Sequence, residues 1–158
     1  KNYKLKVKEE NALSSFDEGS VDVISMWHVL EHVYHLQERI ETIKRTVSTN
    51  GTVIIAVPNR ESFDAKHYKE DWAAYDVPRH LYHFRKEDME MLFDKHGFEV
   101  KNILPMRFDS FYVSMLSEKY MNGKVNYWNA VKKGIKSNFA ASKNMNYSSV
   151  IYILGKDE

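Results

Sequence analysis

A chain of 158 residues is the size of one domain, and 43% hydrophobic with 28% charged residues is the make-up of a globular fold, not of a disordered or fibrous one. The 23 Lys and Arg against 22 Asp and Glu leave a formal charge of +1, without the basic excess that phosphate-backbone binding draws on, so no nucleic-acid partner is expected. The absence of cysteine removes disulfide scaffolds, zinc ribbons and thiol nucleophiles and permits a reducing, cytoplasmic setting, while the longest apolar stretches, residues 53–57 and 150–154, are far short of a span, so neither a membrane partner nor a signal peptide is expected.

Residues 3–8 alternate Tyr-Lys-Leu-Lys-Val-Lys, the period of two of a strand with one wet face, and read as a short edge strand. The turn Asp17-Glu18-Gly19-Ser20 leads into a β-branched, mainly apolar run over 21–27 that predicts a buried strand. Leu36, Ile40, Ile43 and Val47 recur at steps of four, three and four between charged neighbours, which predicts an amphipathic helix stopped by Asn50-Gly51. A second buried strand is predicted over 52–57, ended by Pro58-Asn59, and strand, helix and strand of these lengths form one parallel βαβ unit.

Residues 60–85 are long, polar and weakly periodic, yet Trp72, Tyr75 and Tyr82 are too many aromatics for disorder, so the stretch reads as a functional loop. A helix follows over 86–96 with Met89, Leu92 and Phe93 inward and Gly97 as its stop, then a strand over 98–104. Helices near 111–120 and 127–139, separated by Asn122-Gly123, precede a last strand over 149–154. The chain is expected to be a single domain, 1–158, with 106–147 as a helical insertion. It has 6 glycines and neither GxGxxG nor GxxxxGK, hence no phosphate-cradling loop of its own.

Ligands of α/β sheets gather at the carboxyl ends of parallel strands, which puts weight on Trp27-His28-Val29-Leu30-Glu31-His32-Val33 and on Pro58-Asn59. The segments GSVDVISMWHVLEHV (19–33), NGTVIIAVPN (50–59) and DVPRHLYHF (76–84), followed by His96-Gly97-Phe98-Glu99-Val100, resemble in order and spacing the C-terminal part of the class I S-adenosylmethionine-dependent methyltransferases. The likeness is greatest to the subgroup with an Asp-x-Pro-Arg-His loop, and Leu-Glu-His-Val is similar to the ubiquinone-type O-methyltransferases. The resemblance implies an α/β fold with a partial Rossmann-like sheet of strands four to seven, with the third as a further candidate, flanked by helices. The family's first strand, Gly-rich loop and ribose-holding acid would all precede Lys1. The chain as it stands is therefore expected to be an inactive fragment whose 21–27 strand lies near an open edge and pairs with another copy.

The resemblance also implies the cofactor S-adenosylmethionine and a small-molecule acceptor methylated on oxygen, nitrogen or carbon. Asn11 and Ala12 take the position near the adenine, and Trp27 and His28 flank the methionine part. The 76–84 loop covers the acceptor, with His80 first in line as general base and His83, Asp76 and Arg79 beside it. A sulfonium methyl needs a nucleophile held in line, and a base only where the acceptor is an unactivated hydroxyl or amine. The plainer alternatives are that Trp27 packs in the core, that Arg79 pairs with Asp76, and that the histidines are hydrogen-bonded structural residues.

His28-Val29-Leu30-Glu31-His32 also matches HxxEH, in which two histidines and a glutamate share a helical face as in the inverted zinc metalloproteases. Some small-RNA and ubiquinone-pathway methyltransferases hold a metal on ExxEH plus a distant His. The matching ligands here are Glu31, His32 and one of His80 or His83, with His28 where the first Glu would stand. A metal-dependent hydrolase and a non-catalytic interaction domain therefore remain beside methyl transfer. Phe111, Tyr112, Tyr120, Tyr127 and Trp128 either pack in a core or dimer interface or shape an apolar acceptor pocket, and Lys132, Lys133, Lys136 and Lys143 read as a solvated face.

Overall fold

The β-branched run β1 (Val21–Trp27) pairs in parallel with β2 (Val47–Pro58), and the amphipathic helix α1 (Leu36–Thr46) makes the crossover. The structure, a computed structural model, describes residues 6–157, without the side chains of Glu10 and Asn11. After β2 come α2 (Phe63–Tyr68), two 3-10 turns, Lys69–Asp71 and Ala73–Tyr75, and α3 (Lys86–Asp94). Then follow β3 (Phe98–Pro105), the helical pair α4 (Asp109–Asn122) and α5 (Tyr127–Ala141), and β4 (Ser149–Lys156). The final strand enters between β2 and β3, antiparallel to both, so the sheet runs β1-β2-β4-β3.

The periodicities explain which faces are buried. Ile40 and Ile43 of α1 and Met89 and Phe93 of α3 lie on the sheet with Val53, Ile55, Phe98, Tyr152 and Leu154, all 0–1% exposed. Each such side chain stabilises the fold by about 1.5–3 kcal/mol relative to an exposed one. A second, smaller core gathers Ala65, Tyr68, Trp72, Ala73 and Ala74 against Val113 of α4. The stretch read as one long loop is thus largely ordered by its aromatics. Ser62 caps α2 by accepting from the Ala65 N–H at 3.1 Å.

Three expectations need correction. β1 is not the buried strand that its apolar run predicts but lies at the open edge that the resemblance implies: no described strand pairs on its other side, and Val23 and Trp27 are 58% and 50% exposed, so Trp27 is not a core residue. Asn50-Gly51 does not stop the helix, which ends at Thr46, where Val47 turns extended and pairs with Val21. Gly51 instead sits in the irregularity between the Val21 and Val23 pairings, where a Cβ would come within 2.5 Å of the Val47 side chain and 3.0 Å of the Asp22 carbonyl. Finally, residues 6–8 form no strand, and the rest of the 3–8 pattern lies outside the described residues.

One buried carboxylate joins α2, α5 and the approach to β4. Asp64, fully buried, accepts from Trp72 Nε1 (2.9 Å), Ser137 Oγ (2.6 Å) and Ser148 Oγ (2.7 Å). Its removal strands three buried donors at once. We expect Asp64→Ala to cost at least about 3 kcal/mol in urea unfolding; a loss within the range of ordinary surface substitutions would contradict this account of the helical layer.

Candidate active site

The chain turns sharply after β1. The His28 N–H still donates to the Ala56 carbonyl at 2.9 Å, as the last rung beside β2, while its φ of 52° lies in the left-handed region. A single 3-10 turn, Leu30–His32, follows and buries Leu30 and Glu31 completely. The 76–84 loop is clipped onto this turn by its backbone: the Leu81 and Tyr82 N–H groups both donate to the Glu31 carbonyl, at 2.8 and 3.3 Å. Asp76, itself at a left-handed φ of 39°, pairs with Arg79 at 2.5 Å.

These elements enclose a cavity of about 400 Å³ at the carboxyl ends of β1 and β2. His28, Asp76, Arg79 and His80 line it, together with Pro58, Ser149 and the α4 residues Asp109, Tyr112, Val113, Leu116 and Tyr120. Of the residues expected near the acceptor, His83 is not part of this lining. Its Nε2 donates to the Tyr75 carbonyl at 2.8 Å and its ring meets Tyr75 edge-on. Trp27 stands half-exposed at the end of the open strand, and Ala12 lies partly buried in the 3-10 turn Glu10–Ser15. The Asn11 side chain lies outside the described residues.

The two cavity histidines are in opposite states. His28 donates from Nδ1 to Glu31 Oε1 (3.2 Å) and from Nε2 to Asp109 Oδ2 (3.0 Å). The hydrogen bond to Asp109, then that to Glu31, pushes its pKa up to about 9, against the effect of burial. Burial alone would raise the Asp109 carboxyl, but the hydrogen bond from the His28 imidazole helps to outweigh it and hold the group below the usual carboxylate range. His80, by contrast, donates from Nδ1 to the Ala74 carbonyl at 2.8 Å, and burial holds it below the ordinary imidazole range. Its Nε2 lies 3.9 Å from Asp76 Oδ2 and 4.0 Å from Glu31 Oε1.

Glu31, His32 and His80 bring one ligand atom each within 4.8 Å of one another. His32 donates from Nδ1 to the Arg79 carbonyl at 2.9 Å, so both histidines keep Nε2 as the free lone pair. Glu31 Oε2 is buried with no hydrogen-bond partner. The HxxEH reading loses its premise here: a three-residue 3-10 turn replaces the α-helix, and carboxylates take both ring nitrogens of His28.

The residue that sequence reasoning missed is Asp109. It belongs to the first turn of α4, and no pattern links one acidic side chain to a histidine so far upstream. Because His28 is raised in the fold, its contribution to stability is complete below the ordinary pKa of about 6.5 and is lost as pH rises through about 9. The urea midpoint should therefore fall between those two values, and Asp109→Asn should flatten that fall. An identical pH profile in the variant would contradict the pairing.

A family profile described as a methyltransferase domain matches residues 2–103. No match is found among curated proteins. A solved Thermotoga maritima SAM-dependent methyltransferase, described as a possible histamine N-methyltransferase, is 18% identical with a TM-score of 0.58, over 90% of this chain and 59% of that one. A SAM-dependent methyltransferase from Archaeoglobus fulgidus is 17% identical with a TM-score of 0.58, over 95% and 66%. The Burkholderia thailandensis 1,6-didemethyltoxoflavin-N1-methyltransferase, solved with 1,6-didemethyltoxoflavin and S-adenosylhomocysteine bound, is 13% identical with a TM-score of 0.52, over 92% and 48%. The chain thus spans 59% of the Thermotoga protein and 48% of the Burkholderia one. At these identities the likeness is one of fold: a four-strand mixed sheet with flanking helices, as in the Rossmann-like methyltransferase fold. With the profile matching well over half of its residues, the chain belongs to the methyltransferase domain family.

Proposed function

We propose that this chain supplies the acceptor side of an S-adenosylmethionine-dependent methyl transfer to a small molecule, with His80 as general base. The state of His80 carries this reading. Its Nδ1–H is fixed on the Ala74 carbonyl and burial disfavours its cation, so at neutral pH Nε2 holds a lone pair in a cavity of small-molecule size. An acceptor O–H or N–H beside Nε2 would give up its proton there as the oxygen or nitrogen lone pair forms the bond to the methyl carbon and the bond from that carbon to sulfur breaks, its electron pair staying on sulfur. The imidazolium so formed lies close to Asp76 and Glu31, whose carboxylates favour it.

His28 acts differently, as a fixed cation that joins the end of β1 to α4 and so shapes the acceptor wall. Arg79 and His83 position the loop, through Asp76 and through the Tyr75 carbonyl. S-adenosylmethionine supplies an electrophilic methyl on a sulfonium when bound. We assign Trp27, which precedes His28 at the end of β1, to the site of that group. The half-exposed Trp27 indole offers a flat aromatic face of the kind that attracts a sulfonium cation. In the same reading the open β1 edge accepts a further strand from a second copy. Val23→Lys should then abolish any dimer seen by light scattering, and a dimer unaffected by it would place the contact elsewhere.

A second reading rests on Glu31 Oε2, buried and unpartnered beside His32 and His80. A nitrogen- and carboxylate-lined group of this kind suits a divalent transition-metal ion, which when bound supplies Lewis acidity toward an acceptor oxygen. The two readings separate on His32, which only the metal reading needs. For the protein assayed at its full coded length, His80→Ala should lower kcat by roughly 10²–10⁴-fold while S-adenosylhomocysteine affinity holds, and the rate should rise with pH through a value below 6.5 and then level. Equal loss of rate and cofactor affinity would make His80 structural. Loss of rate on chelation or in His32→Ala would favour the metal.

A further inference from the structure

Helix α5 is turned the opposite way to an ordinary surface helix. It buries only small side chains, Ala130, Gly134, Ser137 and Ala141. Gly134 seats against the Phe111 ring, where a Cβ would come within 2.6 Å, its carbonyl accepts from Ser110 Oγ, and Ser137 is held by Asp64. Left outside are Trp128, Val131, Ile135 and Phe139, 79%, 43%, 56% and 74% exposed. Their steps of three, four and four set them in one row along the helix. Asn138 donates to the Arg107 carbonyl, so Phe108, 87% exposed, follows directly on a residue joined to this helix.

Along the stretch of chain that carries the row the charge has one sign, and Glu61, which shares a hollow with Ala140 and Ala141, is an acidic residue at its far end. Between Glu118 and Asp157 the sequence holds seven lysines and no Asp or Glu, in a chain whose whole formal charge is +1. Lys132 and Lys136 stand on α5 beside the row, with Lys124 before the helix and Lys143 after it. Lys136 Nζ lies 4.9 Å from the centre of the Phe63 ring. Protein interfaces are depleted in lysine. A helix lying in the surface of a bilayer has the pattern seen here, Trp, Phe and Ile on one side and lysines at its margin, their stems reaching along the apolar boundary to the headgroups.

We propose that α5 is an interfacial docking helix for an anionic lipid bilayer. Trp128, Ile135 and Phe139 enter the boundary between headgroups and acyl chains, and the lysines meet the acidic headgroups. No helix among the described residues is long and apolar enough to cross a membrane, so α5 lies on the bilayer in this proposal and does not span it. The proposal revises two expectations from the sequence, that no membrane partner is involved and that Lys132, Lys133, Lys136 and Lys143 form only a solvated face.

The test is sedimentation of the chain with phosphatidylcholine vesicles and with vesicles enriched in phosphatidylglycerol, at low and high salt. Binding is expected to the second kind, weakening with salt. It should fall by roughly tenfold or more in the double variant Lys132→Glu/Lys136→Glu and comparably in Trp128→Ser/Phe139→Ser. All four positions lie on the outer side of the helix, and apart from the contact of Lys136 with the Phe63 ring none is packed, so thermal unfolding should change by only a few degrees, which separates lost docking from lost fold. Tryptophan emission should shift to the blue with anionic vesicles in the parent chain and not in Trp128→Ser/Phe139→Ser. Failure of the folded chain to bind anionic vesicles, or equal binding by the variants, overturns the proposal. So does a dimer that dissolves in Trp128→Ser/Phe139→Ser, because the row would then be covered by a second copy.

Discussion

The contact between His28 and Asp109 ties the two halves of this molecule together. One partner stands where the sheet ends and the other opens the helical pair, and both line the cavity between them. Each partner shifts the other in the direction that strengthens the bond: the imidazole is held cationic and the carboxyl anionic. Glu31 takes the remaining imidazole nitrogen, and its backbone carbonyl receives the loop that closes the cavity. A short chain of polar contacts thus runs from the end of the edge strand, through a buried carboxylate, to the loop and the helix that wall the site.

Environment divides the labour between the histidines. His28 and His80 border one cavity, yet one has both nitrogens committed to carboxylates and the other keeps a lone pair. Identical side chains with opposed environments are the usual way for a single fold to place a fixed charge beside a proton acceptor. The distance of about 4 Å from His80 Nε2 to the two nearest carboxylates is too long for a hydrogen bond and short enough to favour the cation once it forms.

Much of the fold was legible because local pattern and tertiary role coincide. Ile40 and Ile43 face inward as their spacing requires, and the apolar 52–57 run is a central strand. Reading failed where one local signal serves two structures. Asn50-Gly51 suits a helix stop as well as a strand irregularity, and only the closeness of Val47 and Asp22 to Gly51 selects the second. In α5 the small residues form the packing face and the large ones face out, an inversion that depends on the bulk of Phe111 against Gly134. Of the candidate site, His28, Asp76, Arg79 and His80 line one cavity while Trp27, Glu31, His32 and His83 lie outside its lining, and Asp109 was invisible because its role arises only from the return of the chain over β1.

The protonation states of the cavity histidines carry the account, and they can be observed one nitrogen at a time. Nitrogen-15 correlation spectra of the imidazole rings in the folded chain near neutral pH should show His28 with both nitrogens protonated and His80 neutral, with its proton on Nδ1. A cationic His80, a His80 proton on Nε2, or a neutral His28 would contradict the assignment of base and fixed charge on which the proposed chemistry depends.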